Sequence, residues 1–364
     1  MEYHVIPVRE KGEQIYQICV EKDYGNLPDA LKGLQIAERR AFIVSETNVA
    51  PLHAEALKRV LAPLCASAET YAFPAGEESK QMSVVMDLVR FLIEHQADRN
   101  DVIFALGGGV CGDLAGFAAA IYLRGIRVVQ VPTSLLAMVD SSIGGKTAVD
   151  CDAYKNMIGA FHQPSAVYMN LSLLETLPRR EFISGFAEVI KHGLLCDLPL
   201  YNWMKEHHEA LTSGDKDLLQ EMIYRSCLDK RRVVEEDPKE RGVRALLNLG
   251  HTLGHAVEKA KNFEMLHGEC VAVGTAAAAW LSCRRGMITE EEYRDVIDTF
   301  LAFDLPVTVS GVTAEEILAL SKKDKKMDAG KIRFILLEEI GKAVIRQDVT
   351  DEELLEAAHS IIVE

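Results

Sequence analysis

No Cys-x-x-Cys pair occurs among the eight cysteines of this 364-residue chain. Their scattered spacing offers neither a disulfide framework nor a thiolate metal site, so reduced structural thiols are expected. Positive charge is scarce as well: 40 Lys and Arg against 55 Asp and Glu leave a formal net charge of −15. Such a surface disfavours nucleic acid and anionic membranes, although a few cations can still line a pocket for a small anion. No apolar run is long enough to span a bilayer; the longest mild one, Cys270 to Cys283, is short and rich in alanine. The opening Met1-Glu2-Tyr3-His4-Val5 lacks the basic start and apolar core of a secretion signal, which again makes the cytoplasm the expected location. Internal repeats and low-complexity linkers are missing too.

What is present divides in two. Ala41–Ser45, Asp101–Leu106 and Arg127–Val131 read as buried strands, with a helical stretch from Lys80 to His95 between the first two. That alternation predicts a βαβ pattern and a largely parallel sheet. Beyond about Pro178 the pattern turns helical, over Arg180–Leu195, Asp215–Glu236, Leu247–Lys261 and Val271–Arg285. The length also favours two domains. We therefore expect an α/β, Rossmann-like nucleotide-binding domain over 1–177 and a mainly helical domain over 178–364, with the active site in the cleft between them.

Two motifs carry chemistry. Gly107-Gly108-Gly109-Val110-Cys111-Gly112-Asp113 follows a predicted strand and precedes a helix, and Gly107, Gly109 and Gly112 satisfy the G-x-G-x-x-G spacing. Backbone N–H groups in such a turn can cradle a pyrophosphate; the plain alternative is a tight turn with no ligand. The acid that a standard dinucleotide unit carries about twenty positions later is missing from Arg127–Thr133, and the acid at a strand end lies upstream, at Glu46. Asp140-Ser141-Ser142-Ile143-Gly144-Gly145-Lys146-Thr147 ends like a P-loop, but Asp140 stands where that motif needs its first glycine, so an ATP loop is disfavoured. Lys146, with Lys155 and Asn156, could instead hold a phosphate or carboxylate. Lys322-Lys323-Asp324-Lys325-Lys326 reads by itself as a solvated run.

The second motif is Asn248-Leu249-Gly250-His251-Thr252-Leu253-Gly254-His255, followed by His267-Gly268-Glu269. His251 and His255 lie four apart, hence on one helix face, with Glu258 nearby, and spacing alone would make those two histidines a ligand pair for Zn²⁺ that His267 could complete. Glu188-Val189-Ile190-Lys191-His192 adds a carboxylate and an amine from another helix.

Taken in order, these segments resemble the 3-dehydroquinate synthase family of sugar-phosphate cyclases. Further matching pieces are Val131-Pro132-Thr133-Ser134-Leu135-Leu136-Ala137, Lys155-Asn156-Met157-Ile158-Gly159 and Gly185-Phe186-Ala187-Glu188-Val189-Ile190-Lys191-His192-Gly193. The resemblance runs from about Glu46 to Arg333 and implies NAD and a divalent metal, Zn²⁺ or Co²⁺, acting on 3-deoxy-D-arabino-heptulosonate 7-phosphate. It places the metal on Glu188, His251 and His267, and so turns His255 into a proton-transfer or hydrogen-bonding residue. Positions that line NAD match Glu46, Asn48, Glu77, Lys80, Gly108, Gly109, Asp113, Thr133, Ser134, Lys155 and Thr176. Lys146, Asn156, Asn248 and Lys325 match positions around the phosphate, and Lys230 and Arg244 match the carboxylate end. Asp140 and Lys191 match positions near the reacting hydroxyls, Glu240 and His255 match proton acceptors, and Arg124 matches a residue contributed across a homodimer interface. The chemistry implied is transient oxidation at C5, β-elimination of phosphate, return of the hydride, ring opening and intramolecular aldol closure. Glu46 stands where an aspartate is commoner, and Ser134 replaces a frequent threonine. Alternatives are another sugar-phosphate cyclase, such as a 2-deoxy-scyllo-inosose or 2-epi-5-epi-valiolone synthase, or a metal-dependent polyol dehydrogenase. The cationic Lys230 and Arg244 argue against a substrate lacking a carboxylate.

Overall fold

The structure, a computed structural model, describes residues 4–152, 154–322, 327–328 and 331–363. The chain divides into two compact units, Met1–Leu177 with Lys230–Lys239, and Pro178–Asp229 with Glu240–Glu364. The segment Lys230–Lys239 thus belongs with the first unit, which no single cut in the sequence could express.

The first unit is built on a seven-stranded sheet in the order β1-β2-β9-β6-β5-β3-β4. Its strands are β1 (Val5–Glu10), β2 (Glu13–Glu21), β3 (Arg40–Glu46), β4 (Ser67–Phe73), β5 (Val102–Gly107), β6 (Arg127–Pro132) and β9 (Ala166–Asn170). A separate hairpin holds β7 (Lys146–Cys151) and β8 (Tyr154–Phe161). The helices are α1 (Leu27–Leu31), α2 (Ala50–Leu61), α3 (Met82–Glu94) and α4 (Gly109–Ile121). Every pairing within the seven strands is parallel except β1 with β2. Parallel neighbours need crossovers, and α2, α3 and α4 supply three of them in succession.

Strand side chains alternate between faces, so each strand feeds two cores. Ala41, Ile43, Phe104, Val129 and Val131 pack with Leu57 and Leu61 of α2. Phe42, Val44, Ile103, Ala105 and Val128 pack with Leu88 and Leu92 of α3 and with α4. Coverage of both faces is why β5 reads Val-Ile-Phe-Ala-Leu-Gly with every residue buried, rather than alternating with polar positions. The strands expected near 41–45, 101–106 and 127–131 are β3, β5 and β6.

The second unit is mostly helical: α5 (Arg179–Cys196), α6 (Leu198–Glu206), α7 (His208–Ser213), α8 (Lys216–Glu236), α9 (His251–Ala260), α10 (His267–Arg284), α11 (Glu290–Ala302), α12 (Ala314–Ser321) and α13 (Asp351–Ser360), with α8 ending in the segment counted with the first unit. Short strands β10 (Met327–Asp328) and β11 (Lys331–Ile332) pair, as do β12 (Phe334–Glu339) and β13 (Lys342–Arg346). One expected helix is corrected. Leu247–Lys261 is not continuous: a 3-10 turn over Val243–Asn248 ends before Gly250, whose φ of 79° lies in the left-handed region, and α9 starts only at His251. Gly250 breaks the helix because only glycine takes that conformation without cost. The next helix also begins four residues earlier than its apolar pattern suggests, at His267 rather than Val271. Among the described residues no helix is long and apolar enough to cross a membrane.

Candidate functional site

In the first unit the chain leaves adjacent strands β3 and β5 in opposite directions, through α2 to β4 and through α4 to β6. Ligands of open α/β sheets bind at the carboxyl ends of strands where the order switches in this way. Glu46 closes β3, and Gly107 closes β5 beside it. The acid therefore precedes the glycine turn in sequence because its strand precedes β5 in the chain while lying next to it in the sheet.

Packing requires some of the turn's glycines more strictly than others. A Cβ on Gly107 would lie 2.5 Å from Cys111 Cβ, and one on Gly112 would lie 2.8 Å from Gln130 Oε1. Gly108, which caps α4, would meet only Ser134 Oγ, at an ordinary 3.5 Å, and Gly109 would meet Ser141 Oγ at 3.2 Å. The first N–H groups of α4, which no helical carbonyl can satisfy, thus start from a backbone bare of side chains. Burial pushes the Cys111 thiol well above its ordinary pKa, so beneath the turn it is an inert packing group.

Around this turn the expected cofactor residues interlock. Glu46 accepts from the N–H groups of Asn48 at 2.6 Å and Val49 at 3.0 Å, which fixes its carboxylate at the head of α2. Lys80 Nζ lies 2.6 Å from Asp113 Oδ2 and donates to Asn156 Oδ1 at 2.7 Å, tying α4 to the β7–β8 hairpin. Burial works against the Lys80 charge, but Asp113 and Glu77 outweigh it and hold its pKa above the ordinary lysine value. Burial raises the Asp113 pKa, and the neighbouring ammonium opposes that rise. Glu77 pairs with Lys155 at 3.2 Å. The Thr133 N–H donates to Gly107 O, Ser134 Oγ accepts from the Ala137 N–H, and the exposed Thr176 lies 2.7 Å from His53 Nε2.

The expected anion-binding cations of this unit are differently placed. Lys146 is exposed at the start of β7, after Gly144 and Gly145 with φ of 95° and 66°. The Gly144 N–H donates to Tyr16 Oη at 3.3 Å, a support from β2 that no local sequence signal announces. Asn156 has φ of 54° and donates its N–H to Asp150 Oδ1 at 2.7 Å. Lys230, buried, donates to both the backbone oxygen and Oδ1 of Asp140. Arg124 is exposed, with Leu123 and Arg124 both left-handed at φ of 50° and 68°. Lys325 lies outside the described residues.

The second unit gathers the histidines. Glu188 Oε1 lies 3.6 Å from His251 Nε2 and 3.6 Å from His267 Nε2, and the carboxylate is fully buried. A carboxylate hydrogen-bonded to an imidazole would sit nearer about 2.8 Å. Two donors bound to one Zn²⁺ at about 2.0–2.1 Å across a tetrahedral angle sit about 3.4 Å apart. The separations and the O/N/N donor set therefore fit a divalent cation. His251 Nδ1 lies 3.1 Å from the Leu249 carbonyl, which can only accept, so Nδ1 is the donor there and Nε2 is the ring nitrogen that faces Glu188.

His255 and Glu258 form a second, overlapping group with His267, and no group among the described residues holds His251 and His255 together. Spacing alone would pair His251 with His255; the carboxylate that faces His251 at 3.6 Å comes from α5 rather than from the next turn of α9. Lys191, 1% exposed, donates to Glu188 Oε2 from the adjacent turn of α5. Asn248 Nδ2 donates to Glu240 Oε1 at 2.9 Å, and Arg244 is buried in the 3-10 turn that also carries Asn248.

Close helix approach sets this geometry. A Cβ on Gly274 of α10 would lie 1.9 Å from Gly250 O, and one on Gly254 of α9 would lie 2.6 Å from Cys270 O. Glycine at both points lets the helices carrying His251 and His267 touch backbone to backbone.

Two family models match consecutive parts of the chain. The family described as 3-dehydroquinate synthase N-terminal matches residues 70–184, and its C-terminal counterpart matches 185–327. The chain belongs to the 3-dehydroquinate synthase family. Its relatives include the 3-dehydroquinate synthase of Nitrosospira multiformis, 48% identical over 86% of each chain, and that of Colwellia psychrerythraea, 43% identical over 95% of this chain and 97% of the other. Among solved structures, 2-epi-5-epi-valiolone synthase of Streptomyces hygroscopicus, determined with NAD⁺ and Zn²⁺ bound, is 29% identical with a TM-score of 0.88 over 98% of this chain and 99% of the other. A 2-deoxy-scyllo-inosose synthase, 24% identical at a TM-score of 0.86 over 98% and 99% of the two chains, shares the fold.

Proposed function

We propose that this chain converts 3-deoxy-D-arabino-heptulosonate 7-phosphate to 3-dehydroquinate and phosphate, using bound NAD⁺ that is regenerated in each turnover and a divalent cation, Zn²⁺ or Co²⁺. The observation that carries the reading is the buried Glu188 carboxylate set 3.6 Å from both His251 Nε2 and His267 Nε2, in a member of this family. We assign 1–177 as the NAD-binding domain and 178–364 as the metal- and substrate-binding domain.

Bound there, the cation supplies Lewis-acid polarisation of a substrate hydroxyl, and NAD⁺ supplies a reversible hydride acceptor. Glu188, His251 and His267 hold the cation and, as three ligands, leave coordination positions open to a substrate. Lys191 donates to Glu188 Oε2, and Lys191 and Asp140 act near the reacting hydroxyls. His255 and Glu240 take up and return protons at the imidazole nitrogen and the carboxylate, Glu240 being oriented by Asn248. Arg244 and Lys230 bind the substrate carboxylate; Lys146, Asn156, Asn248 and Lys325 bind its phosphate. For NAD, Glu46 and Asn48 face the ribose side, Gly108, Gly109 and Asp113 the pyrophosphate, and Glu77, Lys80, Thr133, Ser134, Lys155 and Thr176 complete the lining.

We further assign a homodimer in which Arg124 reaches the neighbouring copy. The partly exposed Ile121 and Leu123 beside it support that assignment. We assign the cytoplasm as the location, in keeping with eight unbridged cysteines.

The test is phosphate release from the heptulosonate phosphate with catalytic NAD⁺, with and without chelator, while NADH is followed. Stoichiometric phosphate without net NADH, lost on chelation and restored by Zn²⁺ or Co²⁺, is expected. Net NADH would replace the cyclase with a dehydrogenase. No phosphate release with metal and NAD⁺ supplied would redirect the search to sugar phosphates without a carboxylate.

A further inference from the structure

Three successive turns of α5 reach three successive residues at the head of α10. Arg180, Ser184 and Glu188 lie four apart and so on one face, spaced about 6 Å per step along the helix. Arg180 donates to Glu269 through Nε at 2.6 Å and Nη2 at 2.6 Å, and Nη2 also donates to Glu264 O at 3.0 Å. Ser184 Oγ accepts from the Gly268 N–H at 3.1 Å. Glu188 faces His267 at 3.6 Å. The order runs oppositely along the two helices, so each contact fixes the register of the next.

The contact at Ser184 has no slack. A Cβ on Gly268 would lie 1.9 Å from Ser184 O and 2.6 Å from Ser184 Oγ, so the two backbones touch. The Gly268 N–H is one of the donors a helix start leaves unsatisfied, and Ser184, 2% exposed, meets it where water cannot. Glu269 is held twice: it grips Arg180, and its Oε2 accepts from the Leu266 N–H at 2.8 Å across the start of α10. His267 is therefore flanked on both sides by anchored residues.

We propose that Arg180 and Ser184 are positioning residues for the metal: they lock the start of α10 onto α5 so that His267 meets Glu188 at coordinating distance. This rests on the metal reading given under Proposed function. A metal site tolerates ligand errors of only about 0.2 Å, and residues that orient ligands from behind are worth about 10–100-fold in metal affinity.

The experiment measures Zn²⁺ and Co²⁺ affinity of the full chain by chelator competition in Ser184→Ala, Arg180→Gln, Arg180→Lys and His267→Ala, alongside melting of the metal-free protein and NAD⁺ affinity. Expected is a loss of about 10–100-fold in metal affinity for Ser184→Ala and Arg180→Gln, with NAD⁺ affinity unchanged and a smaller loss for Arg180→Lys. Arg180 is largely solvent-exposed, so its variants test the idea even if Ser184→Ala folds poorly. Parent-like metal affinity in both Ser184→Ala and Arg180→Gln, with affinity lost in His267→Ala, would overturn the proposal and leave the metal reading standing. Parent-like affinity in His267→Ala would overturn the metal reading itself, and the proposal with it.

Discussion

Gly274→Ala should weaken the proposed metal site more than the fold. The added Cβ would start 1.9 Å from Gly250 O and 2.7 Å from Gly254 N. Contacts below 3.0 Å are essentially never made by a real Cβ, so α9 and α10 must part by at least 3.0 − 1.9 = 1.1 Å at that point. Gly250 immediately precedes His251, and α10 carries His267 at its start. A displacement of that size is several times the roughly 0.2 Å a metal site tolerates, so one histidine leaves coordination range. Structural zinc sites bind with about 10–16 kcal/mol over four ligands, or about 2.5–4 kcal/mol per ligand, which corresponds to a loss of about 10²–10³-fold in affinity. The folding cost of the overpacked contact is about 1–3 kcal/mol. Chelator competition, with the visible absorption of bound Co²⁺ as signal, reads the first quantity, and thermal melting of the metal-free protein reads the second. A Gly274→Ala protein that melts lower yet binds Co²⁺ as the parent does would refute the reasoning, since the glycine contact would then be packing alone.

Other perturbations separate the remaining groups. Arg244→Ala should raise KM for the heptulosonate phosphate, because breaking a buried charge-assisted pair costs about 2–5 kcal/mol; unchanged KM and kcat would remove Arg244 from the site. Lys80→Met should destabilise the first unit, by about 3–5 kcal/mol if Asp113 stays ionised, and less at pH 5 than at pH 8. With the ammonium gone, the Asp113 pKa in the folded protein stays above its unfolded value, so stability falls as pH rises through that interval. Equal losses at both pH values in denaturant titrations would contradict this. Glu353, gripped by Arg285 at 2.7 and 2.8 Å, has its pKa lowered from 4.5 to about 2. Its pair contributes stability that is complete above the unfolded value and lost as pH falls through about 2. For a partly exposed pair this amounts to about 1 kcal/mol, and Glu353→Gln should remove it at pH 7 but change nothing below pH 2.

The chain itself dictates the βαβ alternation, because strands buried on both faces must be apolar throughout and helices leave a 3.6-residue period. It also supplies the ligand chemistry: Glu188, His251 and His267 are the residue types a divalent cation takes, whatever their arrangement. Some of the fold stayed invisible. The β7–β8 hairpin carrying Lys146, Lys155 and Asn156 is exposed at many positions and shows no regular apolar alternation, so its strands left little periodic signal. Tyr16, Arg180 and Ser184 went unnoticed because their partners lie far along the chain, at Gly144, Glu269 and Gly268. A spacing of four from Arg180 through Ser184 to Glu188 was the one local hint.

Spacing along the chain leaves open which histidine stands near Glu188 and what lies beside the glycine turn; the family resemblance names them, and only the tertiary structure supplies the distances and their physical cause. Sequence spacing measures distance along one helix, and on that measure His251 belongs with His255. The distance between helices depends on where backbones can touch, which Gly250, Gly254, Gly268 and Gly274 settle through contacts that exist only once α5, α9 and α10 have packed. Likewise Glu46 ends the strand next to the one that Gly107 ends because β3 hydrogen-bonds to β5, a pairing between residues some sixty positions apart that no local pattern encodes.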